Sequence, residues 1–182
     1  MKIKSPIDAL KLGIGLLPED RQTQGLINEL PIYQNVTSAD MSKFIKAGKL
    51  DESAEEAKAI ELCQKIQLKA KDISAPPSSL SGGNQQKVVI AKLLCCDPDV
   101  LIFDEPTVGV DVGAKEEIYK IMEELTAQGK SIILISSYLP EVMGLSDRLI
   151  VMAQGKITGE FASEELKNLR EEDVLKRASI ES

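Results

Sequence analysis

The heptapeptide VLIFDEP at residues 100–106 constrains the fold of this chain more than any other stretch. Its apolar run ends abruptly at Asp104 and Glu105, and Pro98 and Pro106 confine the run to the length of a strand. A short apolar run between turn signals is typical of a strand that is buried on both faces of a parallel sheet. The two carboxylates are then predicted to lie at the carboxyl end of that strand, where open α/β sheets bind their ligands.

Two interpretations of the Asp104-Glu105 pair are open on these residues alone. In the first, one carboxylate holds a hydrated metal ion and its neighbour takes a proton from water. In the second, the pair is an ordinary solvated strand end. The motifs elsewhere in the chain are needed to decide between them.

Several kinds of active site are excluded by composition. The chain has no histidine, which rules out Ser-His-Asp and Cys-His nucleophile systems and histidine-ligated metals. Cys63, Cys95 and Cys96 have no zinc-binding spacing, and their odd number favours a reducing cytoplasm. A net charge of −7 without any run of Lys or Arg disfavours nucleic acid as a partner.

Association with a membrane is predicted to be indirect. The first residues, MKIKSPID, lack the apolar segment of a signal peptide. No apolar stretch approaches the length that spans a bilayer, since the longest candidates, 88–96 and 132–135, are short. We therefore expect a cytoplasmic protein that reaches a membrane only through a partner.

The order of predicted elements indicates an α/β fold. Besides the strand in 100–106, the pattern predicts strands at 14–17, 131–135, 147–152 and 156–161, and helices at about 5–11, 51–68, 85–96, 140–144 and 163–176, with another helix capped by Asp111. Alternating strands and helices in the second half predict a parallel sheet. Residues 22–31 are predicted to be loop, and a helical block of about 32–75 is inserted between the strand-containing parts.

The string LSGGNQQK at 80–87 precedes the apolar helix predicted at 85–96. Ser81 can accept hydrogen bonds from the amides of the first turn, and the two glycines allow a ligand to approach the backbone. A helix N-terminus with free amides is an anion site. An ordinary cap before a buried helix is the alternative, and both fit these residues.

Together these motifs resemble the ATP-binding cassette of ABC transporters, and more narrowly the second cassette of the two-cassette ATPases that serve monosaccharide importers. The resemblance rests on LSGGNQQK at 80–87, VLIFDEPTVGVDVGAK at 100–115, ISSYLPEVMGLSDRLIVM at 135–152 and GLLPEDR at 15–21. It implies an incomplete P-loop NTPase fold, a RecA-like parallel sheet with an α-helical subdomain. It also implies four parts: 1–31 as the start of the core, 32–79 as the helical subdomain, 80–162 as the rest of the nucleotide-binding core, and 163–182 as a helical tail.

The resemblance also assigns roles to residues. It implies that the signature motif of the chain contacts ATP held by a partner cassette, through Leu80, Ser81, Gly82, Gly83, Asn84 and Gln85. Asp104 is expected to bind Mg²⁺ through water, and Glu105 to polarise the attacking water. Asp111 belongs to the D-loop at the interface between cassettes. Glu19 stands where cassettes carry the Q-loop glutamine, and Ser137 stands where they carry the switch histidine.

The chain departs from the family pattern in its phosphate cradle. No GxxxxGKS or GxxxxGKT string occurs, because Glu124 stands where the string ending in Gly129, Lys130 and Ser131 requires glycine. P-loop amides and the P-loop lysine make the main phosphate contacts. We therefore expect a C-terminal fragment of a longer protein or a truncated gene product, which does not hold ATP well alone. Serine at 137 replaces a proton-transfer group, which also weakens the expected catalysis.

These implications lead to two functional hypotheses. The first is an ATP-binding subunit, or a fragment of one, of a sugar ABC importer that uses ATP and Mg²⁺ to drive carbohydrate uptake. Its expected partners are a second cassette, transmembrane permease subunits and, indirectly, a sugar-binding protein, on the inner face of the cell membrane. The second is a non-hydrolytic interaction module that only donates its signature motif. ATP hydrolysis is expected of the full-length complex, whereas the isolated chain, without a P-loop, is expected to be inactive.

Overall fold

The computed structural model describes residues 2–179, which divide into two compact units, Met1–Ile133 and Leu134–Ser182. The first unit contains α1 (Pro6–Lys11), β1 (Ile14–Leu17), α2 (Ile32–Thr37), β2 (Ile45–Lys46), β3 (Lys49–Leu50), α3 (Glu52–Lys65), α4 (Gly82–Cys95), β4 (Val100–Asp104) and α5 (Val112–Ala127). Strand β5 (Ser131–Ile135) carries the chain from the first unit to the second.

A parallel sheet forms the base of the first unit. Its strand order is β1, β4, β5, and β1 and β4 pair in parallel with Leu16 opposite Ile102 and Leu17 opposite Phe103. The predicted α/β class with a parallel sheet is therefore confirmed. The carboxyl ends of β1 and β4 lie side by side, which brings the segments that follow them to one edge of the sheet.

The prediction that β4 is buried on both faces is wrong. Leu101 and Phe103 are fully buried, whereas Val100 and Ile102 alternate with them and are only partly buried. Leu16, which pairs with Ile102, is 56% exposed. The described residues therefore cover one face of these two strands, and the strand shows the alternating burial of a half-covered sheet.

The helical block is more divided than the sequence pattern indicates. Helix α3 begins after Asp51, whose carboxylate accepts from the amide of Ala54. A 3-10 segment, Ser38–Phe44, continues α2, and a small hairpin of β2 and β3 precedes α3. The hairpin was not predicted because its strands of two residues are too short to show a period. Its turn residues Ala47 and Gly48 both have positive φ, 50° and 78°, as tight hairpin turns require.

Two predicted boundaries are corrected by the structure. Helix α4 begins at Gly82 and not at residue 85, so both glycines of the signature string lie in its first turn. Within the loop predicted at 22–31, a π-helical turn forms at Arg21–Gly25, capped by the Asp20 side chain. A hydrophobic pattern does not predict the first turn of α4 or the π-helical turn, because both consist mainly of glycine and polar residues.

The second unit contains α6 (Leu139–Leu145), β6 (Arg148–Ala153), β7 (Lys156–Ala162), α7 (Ser163–Leu166) and α8 (Glu171–Ala178). β6 and β7 form an antiparallel hairpin, and its turn residues Gln154 and Gly155 have φ of 48° and 74°. Its core is built from Val142, Leu149, Val151 and Val174. Helices α7 and α8 lie within the tail predicted at 163–182, of which residues 180–182 lie outside the described part. Within residues 2–179, no helix has the length and apolar character needed to cross a membrane.

Candidate functional site

Three segments of the first unit converge at the carboxyl edge of β1 and β4. The Arg21 guanidinium donates to the carbonyl oxygens of Val108 at 2.7 Å and Gly109 at 3.1 Å. A Cβ built on Gly82, at the start of α4, would lie 2.9 Å from the Gly109 oxygen and 3.0 Å from Arg21 Nη2. The loop after β1, the N-terminus of α4 and the loop after β4 are therefore in contact.

A depression opens beside this junction. It has a volume of about 480 Å³ and is lined by Glu19, Asp20, Arg21, Gln22, Val108 and Gly109. The pKa of Asp20 is lowered, first by the hydrogen bond that its carboxylate accepts from the Thr23 hydroxyl and then by the amides of Thr23 and Gln22. Asp20 is thus a charged cap of the turn, and Glu19, at the predicted Q-loop position, is exposed next to it.

Ser81 caps α4 differently from the prediction. Its side chain accepts no bond from a first-turn amide; instead its Oγ accepts from Asn84 Nδ2 at 3.0 Å. Asn84 Oδ1 in turn accepts from the amide of Lys69 at 2.9 Å. A hydroxyl that accepts one bond keeps its proton for donation, so Ser81, which is exposed, has an oriented donor at a helix N-terminus.

The two signature glycines serve packing inside the protein. Gly83 is buried where α4 meets α5, and a Cβ there would lie 2.3 Å from Ala114 Cβ. Gly82 would meet the Gly109 carbonyl and Arg21 in the same way. Glycine at these positions therefore allows one backbone to approach another, which is a different reason from the ligand approach predicted from the sequence.

We expect Gly83→Ala to lower the free energy of unfolding by about 1–3 kcal/mol, because the added methyl group forces α4 and α5 apart. Urea denaturation of the purified chain measures this change. Gly144→Ala in α6 is the matched control, since a Cβ there meets nothing within 4 Å. It should leave stability unchanged or raise it by about 0.4–1 kcal/mol. Equal urea denaturation midpoints for Gly83→Ala and Gly144→Ala would contradict the close contact between α4 and α5.

A buried ion pair lies behind the signature. The side chain of Lys87 is 2% exposed, and its Nζ lies 2.8 Å from Glu117 Oε2 and donates to the Gln67 carbonyl at 2.9 Å. Lys69 Nζ also donates to Glu117, at 2.6 Å. The hydrogen bond from Lys69 and then that from Lys87 lower the pKa of Glu117 to about 2. Sequence reasoning missed this pair, although a lysine within an otherwise apolar helix is a signal for one.

The π-helical turn is fixed to α4 by further polar contacts. Gln22 Nε2 donates to Gln85 Oε1 at 2.6 Å, and Gln85 Nε2 donates to the Pro77 carbonyl at 3.2 Å. Lys92 Nζ donates to the Gly25 carbonyl at 3.1 Å. Gln85, predicted to contact ATP, is 8% exposed and is occupied by these bonds inside the first unit.

The predicted catalytic pair, Asp104 and Glu105, lies at the carboxyl end of β4. Asp104 is the last residue of β4, and Glu105 follows it with φ of +46°, a left-handed conformation that is uncommon for glutamate. Both residues are partly buried. Asp111, at the predicted D-loop position, caps α5 by accepting from the amide of Ala114 at 2.9 Å. Within residues 2–179, no group of three or more Cys, Asp or Glu side chains is placed to hold a metal ion.

Ser137, at the predicted switch position, belongs to the second unit. It is exposed and lies between β5 and α6. Its neighbour Ser136 donates from Oγ to Glu141 and accepts from the amide of Tyr138 at 3.0 Å, which shapes the start of α6. Ser137 therefore lies in the short segment between β5 and α6, next to the hydrogen bonds that Ser136 makes.

Comparison of the sequence with known proteins gives two kinds of match. The family model described as ABC transporter matches residues 3–108. The chain is similar to the xylose import ATP-binding protein XylG of Geobacillus kaustophilus, with 50% identity over 163 residues, 90% of this chain and 32% of that protein. It is also similar to the ribose import ATP-binding protein RbsA of Hahella chejuensis, with 53% identity over 156 residues, 85% of this chain and 31% of that protein. The chain therefore spans about a third of the length of these curated relatives.

Solved structures agree with the fold. A nucleotide-free ATP-binding cassette from an ABC transporter superposes with a TM-score of 0.79 at 25% identity, covering 98% of this chain and 73% of that one. The ADP conformation of another ATP-binding cassette superposes with a TM-score of 0.76 at 27% identity, covering 96% of this chain and 71% of that one. The arrangement of α/β sheet and helical block is thus that of a cassette.

Proposed function

The chain belongs to the ABC transporter family, and on this premise we propose that it is part of the ATP-binding subunit of an importer for a xylose- or ribose-type sugar. Its relatives are xylose and ribose import ATP-binding proteins, and they supply the substrate class. Within that subunit we propose that the signature, through Leu80–Asn84, is the working surface, acting on ATP held by a partner cassette, whereas the buried Gln85 supports it from inside.

The observation that carries this proposal is the geometry of Ser81. Its hydroxyl is exposed at the N-terminus of a 14-residue helix and is oriented by Asn84. The first amides of α4 lack intrahelical acceptors, and the positive end of the helix dipole lies among them. Amides and a hydroxyl donor at one point are the donor set that a phosphate group requires, so these residues fit the terminal phosphate of ATP.

The carboxylates after β4 fit a hydrated magnesium ion. Mg²⁺ usually keeps several waters and takes one or two protein carboxylates together with substrate phosphates. Asp104 would supply such a carboxylate, and the ion when bound would neutralise charge on the phosphates. Glu105 is adjacent in the chain and would orient a water and accept its proton.

The 182 residues contain no P-loop string, so a P-loop among them does not supply a phosphate cradle to Asp104 and Glu105. Ser137 also has neither the positive charge nor the basicity of a switch histidine. This favours a second candidate function for the isolated chain, a module that donates its signature without hydrolysing ATP itself.

The proposed partners follow from this arrangement. A second cassette would face the signature and the loop that carries Asp111. Residues 32–79 would contact transmembrane permease subunits, and a sugar-binding protein would take part only through the permease. The protein would then work at the inner face of the cell membrane.

We expect this chain to associate with the P-loop-bearing cassette of the same transporter in the presence of ATP and Mg²⁺ and to separate in ADP. The terminal phosphate, present only in ATP, is the group that Ser81 and the α4 amides bind. Analytical ultracentrifugation of the mixture, with a slowly hydrolysed ATP analogue as a second condition, measures the association. Association that is equally strong in ADP would refute the proposed signature contact.

The isolated chain should bind ATP only in roughly the millimolar range, because it contains no P-loop string to make the main phosphate contacts. Fluorescence titration with an ATP analogue checks this expectation. Micromolar binding would show that the chain holds its own nucleotide and would overturn the assignment of the signature as its principal ATP-contacting surface.

A further inference from the structure

The turn after β1 is a stiff, self-capped element. Asp20 Oδ1 accepts from the amides of Gln22 at 2.9 Å and Thr23 at 3.2 Å, and Asp20 Oδ2 accepts from the Thr23 hydroxyl at 2.6 Å. The amide of Leu26 closes the π-helical turn onto the Arg21 carbonyl at 2.8 Å. The backbone of Arg21 is therefore held in a fixed direction by the turn that it begins.

Arg21 reaches from this turn to a loop 87 positions away in the sequence. Its two terminal nitrogens donate to successive carbonyls, those of Val108 and Gly109, at 2.7 and 3.1 Å. A planar guanidinium fixes both the distance and the angle of what it binds, which a single ammonium group does not. The Arg21 side chain is also enclosed at its tip, because Gly82 and Gly109 leave room for it only by lacking side chains.

The loop that follows β4 is held both by contacts of its own, with Thr107 buried, and by Arg21. Its own backbone bonds, Val108 N to the Glu105 carbonyl and Val110 N to the Thr107 carbonyl, measure 3.2 and 3.4 Å. Both are longer than the bond from Arg21 to Val108, and hydrogen bonds from a charged donor are about twice as strong as neutral ones. Arg21 therefore contributes the shortest of these three hydrogen bonds to the loop.

We propose that Arg21 is a positioning residue that makes the turn Arg21–Gly25 and the loop 105–111 move as one body. A partner that displaces the turn then displaces the loop that carries Thr107 and Asp111. That this linkage couples permease contacts to the cassette interface rests on the proposed function. The linkage between the turn and the loop does not depend on that function.

A double-mutant cycle followed by amide hydrogen exchange tests the linkage in the full chain without nucleotide. Asp20→Ala removes the cap of the turn and should raise exchange in the turn and, through Arg21, about tenfold at residues 107–110. In the Arg21→Gln background the same change should raise exchange in the turn alone. Arg21→Lys, which keeps the charge but not the fork, should transmit an intermediate response.

Asp51→Ala is the matched control, because Asp51 caps α3 in the same manner and its carboxylate accepts from the Ala54 amide and from Lys46. It should leave exchange at residues 107–110 unchanged, which separates transmission from general destabilisation. The proposal is overturned if Asp20→Ala leaves the loop unaffected, if the loop responds equally in the Arg21→Gln background, or if Asp51→Ala has the same effect. Because no nucleotide is used, these outcomes leave the proposed ATP contact to its own test.

Discussion

Replacing Ser81 with arginine should lower the ATP turnover of the assembled transporter by about 10²–10³, the usual effect of removing a donor that stabilises developing charge. The long side chain fills the space in front of the α4 N-terminus, and the hydroxyl that Asn84 orients is lost. Phosphate release by the reconstituted complex, measured at saturating ATP, gives the effect. Ser78→Arg is the matched control, because Ser78 is an exposed serine three positions earlier, outside α4.

The same assay separates the two functional hypotheses. If this chain mainly serves ATP held by its partner, Ser81→Arg reduces turnover more than Glu105→Gln does. If its own carboxylates carry the main hydrolytic site, the order is reversed, and the role of the signature as principal working surface is refuted. A fall of the same size in Ser78→Arg would mean that added charge, and not the lost donor, causes the effect.

Replacing Glu117 with glutamine should lower the free energy of unfolding by about 3 kcal/mol. The change leaves the Lys87 ammonium, with a side chain only 2% exposed, without a counter-charge, and breaking a buried pair in this way typically costs about 3–5 kcal/mol. The lower end of that range applies because the Glu117 side chain is 34% exposed. Urea denaturation at pH 7 measures the loss.

Lys69→Gln is the control for this pair, since Lys69 contacts the same carboxylate but its side chain is 71% exposed. Exposed pairs contribute about 0–1 kcal/mol, so this variant should remain close to the parent protein. Equal losses from Lys69→Gln and Glu117→Gln would contradict the assignment of the effect to buried Lys87.

The stability advantage conferred by Glu117 should also depend on pH with a definite sign. Its folded-state pKa is lowered from 4.5 to about 2, so the carboxylate contributes fully above pH 4.5 and loses its contribution as the pH falls to about 2. The difference in stability between the parent protein and Glu117→Gln should therefore be constant from pH 7 to about 5 and shrink below that range. A difference that grows on acidification would refute this assignment.

Periodic patterns in the sequence predicted most of the elements. Helix α5 is an example, since the apolar positions Ile118, Ile121, Met122 and Leu125 are all buried and Asp111 caps it as expected. Such elements are predictable because their signal is local and repeats several times. Helix α4 was predicted to begin too late because its first turn consists of glycines and polar residues, which carry no hydrophobic period.

The contacts that shape the candidate site were not predictable in the same way. Arg21 and Val108 are 87 positions apart, and the buried Lys87 meets a carboxylate on another helix. No local pattern encodes a pairing across such a distance; the fold must first bring the segments together. The roles of Glu105, Asp104, Glu19 and Ser137 came from the family resemblance and stay predictions until turnover is measured.

The close crossing of α4 and α5 also limits how this sequence can change over time. At Gly83 the neighbouring atom is already the single methyl of Ala114, so a mutational path that adds a side chain at 83 can keep the crossing only if 114 becomes glycine. A glycine at position 114 would lie inside α5 and would lower the stability of that helix by about 1 kcal/mol relative to alanine. A substitution at position 83 therefore requires a matching substitution at position 114, and the reverse. A variant with only one of the two changes is less stable than the protein with neither change and the protein with both.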